Sequence, residues 1–170
     1  MLFDNGYQEL ARNVVGRKLQ NVNGLIYIYN VPDLGAPQQL QFVFFSENQN
    51  VVFRCGLDGA SLELTDLPMQ ENDLGEYGKE EIMDLSNSCF FHKVIGKILL
   101  RFYAIYSGIE QKVIGAKLVF DEGLTLAIIN LGDEIKVFDS LSMEYERDEK
   151  INYIDVLSIF LRQPSRQLIS

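Results

Sequence analysis

His92 is the only histidine in the chain, and that single imidazole bounds the chemistry available. Sites built on two imidazoles are excluded, and a serine or cysteine triad would depend on this one residue. Cys89 lies three positions away, so a Cys-His pair on one helical turn can be drawn. Catalytic pairs are usually assembled from distant segments, so this local spacing carries little information. The competing expectation is that Cys89, Phe90 and Phe91 are buried while His92 sits at the surface or caps a carbonyl. No catalytic, cofactor-binding or metal-ligating residue is assigned, and no cofactor is expected.

A denser grouping is the acidic run Glu71, Asp73, Glu76, Glu80, Glu81 and Asp84, opposed only by Lys79. It lacks the alternating Asp/Asn ligands and the glycine placement of an EF-hand loop, which argues against calcium. A solvated loop is the default reading of a charge run, and a protein-binding face is the functional one. The carboxylate pairs Glu144/Glu146 and Asp133/Glu134 fit solvated strand edges better than glycosidase chemistry, which needs two carboxylates facing each other across a cleft. Tyr27, Tyr29, Tyr103 and Tyr106 fall in matching strands. Period-two alternation puts Tyr27 and Tyr29 on one face and Ile26 and Ile28 on the other. Exposed tyrosines beside an acidic loop make a protein interface, whereas packing against terminal helices is the alternative. The partner-binding candidates are therefore Glu71, Asp73, Glu76, Glu80, Glu81, Tyr27 and Tyr29.

The elements that must position these residues are read from an internal repeat. Val14-Val15-Gly16-Arg17-Lys18-Leu19 reads against Val94-Ile95-Gly96-Lys97-Ile98-Leu99, Ile28-Tyr29 against Ile105-Tyr106, and Phe42-Val43-Phe44 against Leu118-Val119-Phe120. Val51, Phe53 and Cys55 then match Leu124, Leu126 and Ile128, and Gly59, Leu62, Leu64 and Asp66 match Gly132, Ile135, Val137 and Asp139. Such order over about fifty positions indicates a duplicated β unit. The units run over about 5–66 and 85–139. Asp4 or Asn5 caps a helix through about Val14, with Ser86 to Val94 as its echo. An acidic connector, 67–84, is read as a mobile loop through Gly78. Apolar residues at near-helical spacing predict a C-terminal helix over about 151–162, with a strand as the other state that stretch fits.

At 170 residues and 47% apolar, the chain supports one well-buried core, so the two units form a single domain over 1–170. Short turns between strands imply antiparallel meanders. The expected fold is mainly β (α+β): two pseudo-repeated antiparallel four-stranded meanders in one sheet, a sandwich or a partly open barrel, with two or three short helices. The formal charge of −9 argues against a nucleic-acid backbone as partner and favours a basic protein. Two cysteines point to a reducing compartment, with Cys55 a buried small hydrophobe. No secretory signal or membrane-spanning stretch is visible, which places the protein in the cytoplasm.

Met83-Asp84-Leu85-Ser86, Ile95-Gly96-Lys97, Leu118-Val119-Phe120-Asp121 and Gly132-Asp133-Glu134-Ile135-Lys136-Val137 resemble a group of small bacterial proteins. Some of these look like immunity proteins of contact-dependent or polymorphic toxin systems. The resemblance covers about half the chain, and its motifs are structural. It implies a small acidic cytoplasmic β protein that works by binding, and it carries no functional residue across. The leading expectation is a non-enzymatic protein-binding module, an immunity or inhibitor protein for a basic partner such as a toxin, with homodimerisation left open. The alternative is a small-molecule-binding β-barrel, and a small enzyme comes last.

Overall fold

Along β3 (Gln39–Phe44) buried and half-buried residues alternate strictly, the pattern of a strand with one face on a core. The same logic builds most of the chain, which the computed structural model describes over residues 5–46 and 50–161. Helix α1 (Asn5–Val14) leads into β1 (Leu19–Tyr29), β2 (Val31–Pro32), β3, β4 (Asn50–Cys55) and β5 (Leu62–Thr65). A hairpin of β6 (Asn72–Asp73) and β7 (Lys79–Asp84) follows. After a set of helical turns come β8 (Leu99–Ser107), β9 (Lys112–Phe120), β10 (Thr125–Asn130) and β11 (Ile135–Phe138). The chain closes with α2 (Met143–Asp148), β12 (Ile151–Asp155) and α3 (Val156–Leu161). Asp4, named above as a cap, lies outside the described residues, as does position 162.

The fold is mainly β, with two antiparallel sheets. The first runs β5-β4-β3-β1-β7-β6, with β2 paired to β1, and the second runs β11-β10-β9-β8-β12. The two meanders share their register. Leu19 pairs with Phe44 as Leu99 pairs with Phe120, a bulge follows at the same place in both, and Val22 then pairs with Phe42 as Phe102 pairs with Leu118. Each meander also gains a fifth strand beside its first: β7 sets Asp84 opposite Asn23, and β12 sets Asp155 opposite Tyr103.

The halves meet about a local two-fold relation centred on the bridge between Lys18 and Ile98. Gly16 N–H donates to the Leu99 carbonyl (2.7 Å) and Gly96 N–H to the Leu19 carbonyl (2.8 Å). Leu19 N–H donates to Lys97 and Leu99 N–H to Arg17, both at 2.9 Å. Gly16 and Gly96 adopt φ of 86° and 79°, the left-handed region in which glycine closes a helical turn without a Cβ penalty. Between the sheets, Phe53 stacks on Phe102 at 6.3 Å and Tyr7 meets Phe102 edge-on at 6.0 Å. One core cluster draws on both halves and includes Phe42, Phe44, Phe53, Leu62, Leu64, Leu118, Phe120, Leu126 and Ile135, with Val137 half-buried against it.

Several expectations are corrected. Val51 pairs with Phe42 as Leu126 pairs with Leu118, so Val51 corresponds to Leu126 and Cys55 to Asn130, two positions from the match read in the sequence. Ile28-Tyr29 does not correspond to Ile105-Tyr106: with Leu19 matched to Leu99, Tyr106 takes the place of Ile26, and β8 ends at Ser107 before Tyr29 finds a counterpart. The connector 67–84 is not one loop through Gly78, because Asn72 and Asp73 pair with Glu80 and Lys79 as β6 and β7. Residues 151–155 form strand β12 and only 156–161 are helical. Alternation explains that strand: Ile151 and Tyr153 pack on the Ile105 and Ile129 cluster, while Ile154 packs on the main core. No helix among the described residues is long and apolar enough to cross a membrane.

Candidate functional site

Two segments of the first half have no equivalent in the second, the end of β1 beyond the Ser107 equivalent and β6 with the turn Gly75–Tyr77, and both adjoin β7, the counterpart of β12. Together they wall an open concavity of about 770 Å³. Tyr29, Asn30, Glu71, Asp73, Glu76, Glu80 and Glu81 are among its lining residues, with Lys79 the one cation of the set. Every predicted partner-binding residue except Tyr27 therefore lines one depression. Tyr27 is half-buried and sits behind it, its hydroxyl donating to the Tyr77 carbonyl and so tying the hairpin turn to β1. Tyr29 and Tyr77 are well exposed, at 56% and 69%.

Some of these carboxylates also hold the hairpin together. Glu71 Oε2 accepts the Ile82 N–H at 2.9 Å, Asp73 Oδ1 accepts the Gly75 N–H at 2.9 Å, and Glu80 Oε1 accepts from Asn72 Nδ2 at 3.0 Å. The first of these covers a strand-edge donor that β6 is too short to reach, one way of blunting an open edge. Lys79 Nζ lies 2.6 Å from Glu81 Oε1. That contact, with Asp73 and Glu71 nearby, raises the Lys79 pKa. One ammonium among five carboxylates leaves the concavity strongly negative, the electrostatic complement of lysine or arginine on a partner.

The hairpin hinges on one glycine. Gly78 has φ 98° and ψ −150°, a region essentially closed to other residues, and a Cβ there would collide with the Ile28 carbonyl oxygen. Gly78→Ala is expected to cost about 1–3 kcal/mol of local stability. The measurement is amide hydrogen exchange, in which Glu80 should lose protection while the β9 amides keep theirs. Unchanged protection at Glu80 would contradict this role.

Cys89 and Phe90 are exposed and only Phe91 is buried, because the turns after β7 present one residue in three to the core. His92 is exposed, with Nδ1 3.0 Å from the Ser88 carbonyl oxygen, an interaction within its own turn. Cys55 is half-buried against the core, and burial, aided by the Asp133 carboxylate, pushes its thiol up to about 11. Since the thiolate is the reactive form, a disulfide reagent at pH 8 should modify Cys89 rapidly and Cys55 slowly. Cys89→Ser should abolish the fast phase, and a fast phase surviving that change would contradict the assignment. Tyr103 and Tyr106 lie half-buried in β8, remote in register from the hairpin.

Charge runs identified the acidic wall in the sequence. Asn30 and Gly78 carried no such signal, since one contributes by following an overlong strand and the other through its backbone conformation. No protein-family model, no curated protein and no solved structure matches this chain.

Proposed function

We propose that this protein is a non-enzymatic protein-binding module, an immunity or inhibitor protein of the bacterial cytoplasm, and that the acidic concavity is where it takes a basic partner such as a toxin. The observation that carries this reading is the placement of the charge. Beside β7, whose counterpart is β12, the concavity is walled by parts of the first half that the second half lacks, the end of β1 and β6 with its turn, and the shared scaffold does not require those parts. Additions to a rigid scaffold are where binding residues concentrate. Exposed Tyr29 and Tyr77 supply the aromatic contacts that slow dissociation, and the carboxylates supply the attraction that speeds encounter. The interior supports this reading over a ligand-binding barrel, because Phe42, Phe53, Phe102 and Phe120 fill the space between the sheets.

Zero-length carbodiimide coupling, which joins carboxylates to lysine amines in contact, tests the reading in lysate of the source cell. The expected result is a basic protein coupled through the peptides spanning residues 67–84. Coupling distributed over carboxylates elsewhere on the surface, with none in that stretch, would overturn it.

A further inference from the structure

From Asp66 to Tyr77 every residue is exposed except Met69. Met69, 7% exposed, packs with Leu25 and Val52 in a cluster of three that stands apart from the main core. Ile26 and Phe53, the neighbours of those two residues, belong to the main core, so alternation puts Met69 on the opposite, outer face of the first sheet. The segment crosses that face as a strap. One end is fixed at Thr65, whose hydroxyl oxygen accepts the Leu67 N–H at 3.1 Å, and the other at Gly78, beside the bond from the Tyr27 hydroxyl to the Tyr77 carbonyl. Between its ends the strap is tied by the short pairing of β6 with β7 and by exposed bonds from Asn72 Nδ2 to Glu80 and from the Ile82 N–H to Glu71. Hydrogen bonds that water can replace contribute little net stability, which leaves the burial of Met69 as the main force holding the strap down.

The strap also divides two depressions. The acidic concavity lies on one side of it. On the other, a depression of about 700 Å³ is lined by Leu67, Pro68 and Gln70 of the strap with Leu25 and Arg54 of the sheet. Asn72 and Glu80 line both.

We infer that residues 66–77 form a strap that opens as a unit about its two ends, fastened by Met69, and that opening switches off the acidic concavity by carrying Glu71 and Asp73 out of its wall. The switch rests on the protein-binding reading of the concavity, whereas the opening does not. A segment with one buried apolar contact and water-exposed hydrogen bonds opens at a free energy well below that of the core. A basic partner that touches the strap carboxylates favours the closed form, and so draws the population toward it.

Hydrogen exchange of the intact protein reads the opening residue by residue. The Leu85 N–H donates to the Val22 carbonyl at 2.8 Å and the Ile82 N–H to Glu71. In the antiparallel register of β7 with β1, the amides of Glu81 and Met83 therefore point to β1 and those of Glu80 and Ile82 to the strap. Glu80 and Ile82 are expected to exchange about ten-fold faster than Glu81 and Met83. Met69→Ala should accelerate Glu80 and Ile82 by about ten-fold again while Glu81 and Met83 keep their rates, and Met69→Leu, a volume-conserving change, should leave all four as in the native protein. A lysine peptide of about ten residues, added at low salt as the basic probe, should slow Glu80 and Ile82 by about three-fold or more. Exchange of all four amides in step, or no effect of Met69→Ala, would overturn the strap and leave the acidic surface standing. A peptide that shifts the resonances of residues 71–81 without slowing Glu80 and Ile82 would overturn the switch. A peptide that does not bind would count against the basic-partner reading and with it the switch, while the alternate pattern of exchange would still establish the opening.

Discussion

Phe120→Ala is expected to lower the unfolding free energy by about 3–5 kcal/mol, the usual cost of emptying a buried aromatic site. Phe120 is 0% exposed and pairs with Leu99, itself fully buried. It ends β9 where the two halves meet, and its neighbour Asp121 donates its N–H to the Ile98 carbonyl at 3.0 Å. The surrounding strands are hydrogen-bonded on both sides and have little freedom to collapse into the space left by the ring. Phe44 occupies the same place in the first meander, opposite Leu19, so Phe44→Ala should cost a similar amount. Denaturant unfolding measures both as a fall in midpoint at constant slope. An unchanged midpoint for Phe120→Ala would remove it from the core, and a large cost at only one of the two positions would break their equivalence.

The strands and the duplication were legible because apolar alternation and turn glycines are local signals. Their alignment was less so. The matching of Val51 with Leu124 rather than Leu126 illustrates why: a slip of two residues leaves every side chain on the same face, so alternation is blind to it. The extra residues belong to the turn between Cys55 and Leu62, and only the strand pairing reveals this. Ile28-Tyr29 and Ile105-Tyr106 share a dipeptide without sharing a position. Strand β7 was hidden for a different reason. As the strand before a two-residue edge, it is partly exposed on both faces, so its sequence Lys79-Glu80-Glu81-Ile82-Met83-Asp84 reads as a solvated run. In β12 the apolar residues serve two clusters on opposite faces, which imitates the spacing of a helix. Of the candidate site, the charge was legible. The tie from Tyr27 to the Tyr77 carbonyl and the conformation of Gly78 follow from pairing between segments 50 residues apart.

The proposal that a basic partner engages the hairpin has its most direct test in association kinetics. Reversing Glu76, Glu80 and Glu81 to lysine changes the formal charge from −9 to −3 and inverts the sign of the concavity. The side chains of Glu80 and Glu81 do make contacts, to Asn72 and Lys79. Exposed pairs of this kind contribute about 0–1 kcal/mol, so the melting temperature should fall by only a few degrees. Association depends on the field rather than on any one pair, and electrostatic steering raises association rates by about 10–1,000-fold. Measured by stopped flow against the basic partner recovered by cross-linking, from low salt up to about 0.15 M where the Debye length is about 8 Å, the triple variant is predicted to associate at least ten-fold more slowly than the native protein at low salt and to lose most of its salt dependence. Identical association rates and identical salt dependence in the two proteins would contradict the account and leave the hairpin a solvated surface.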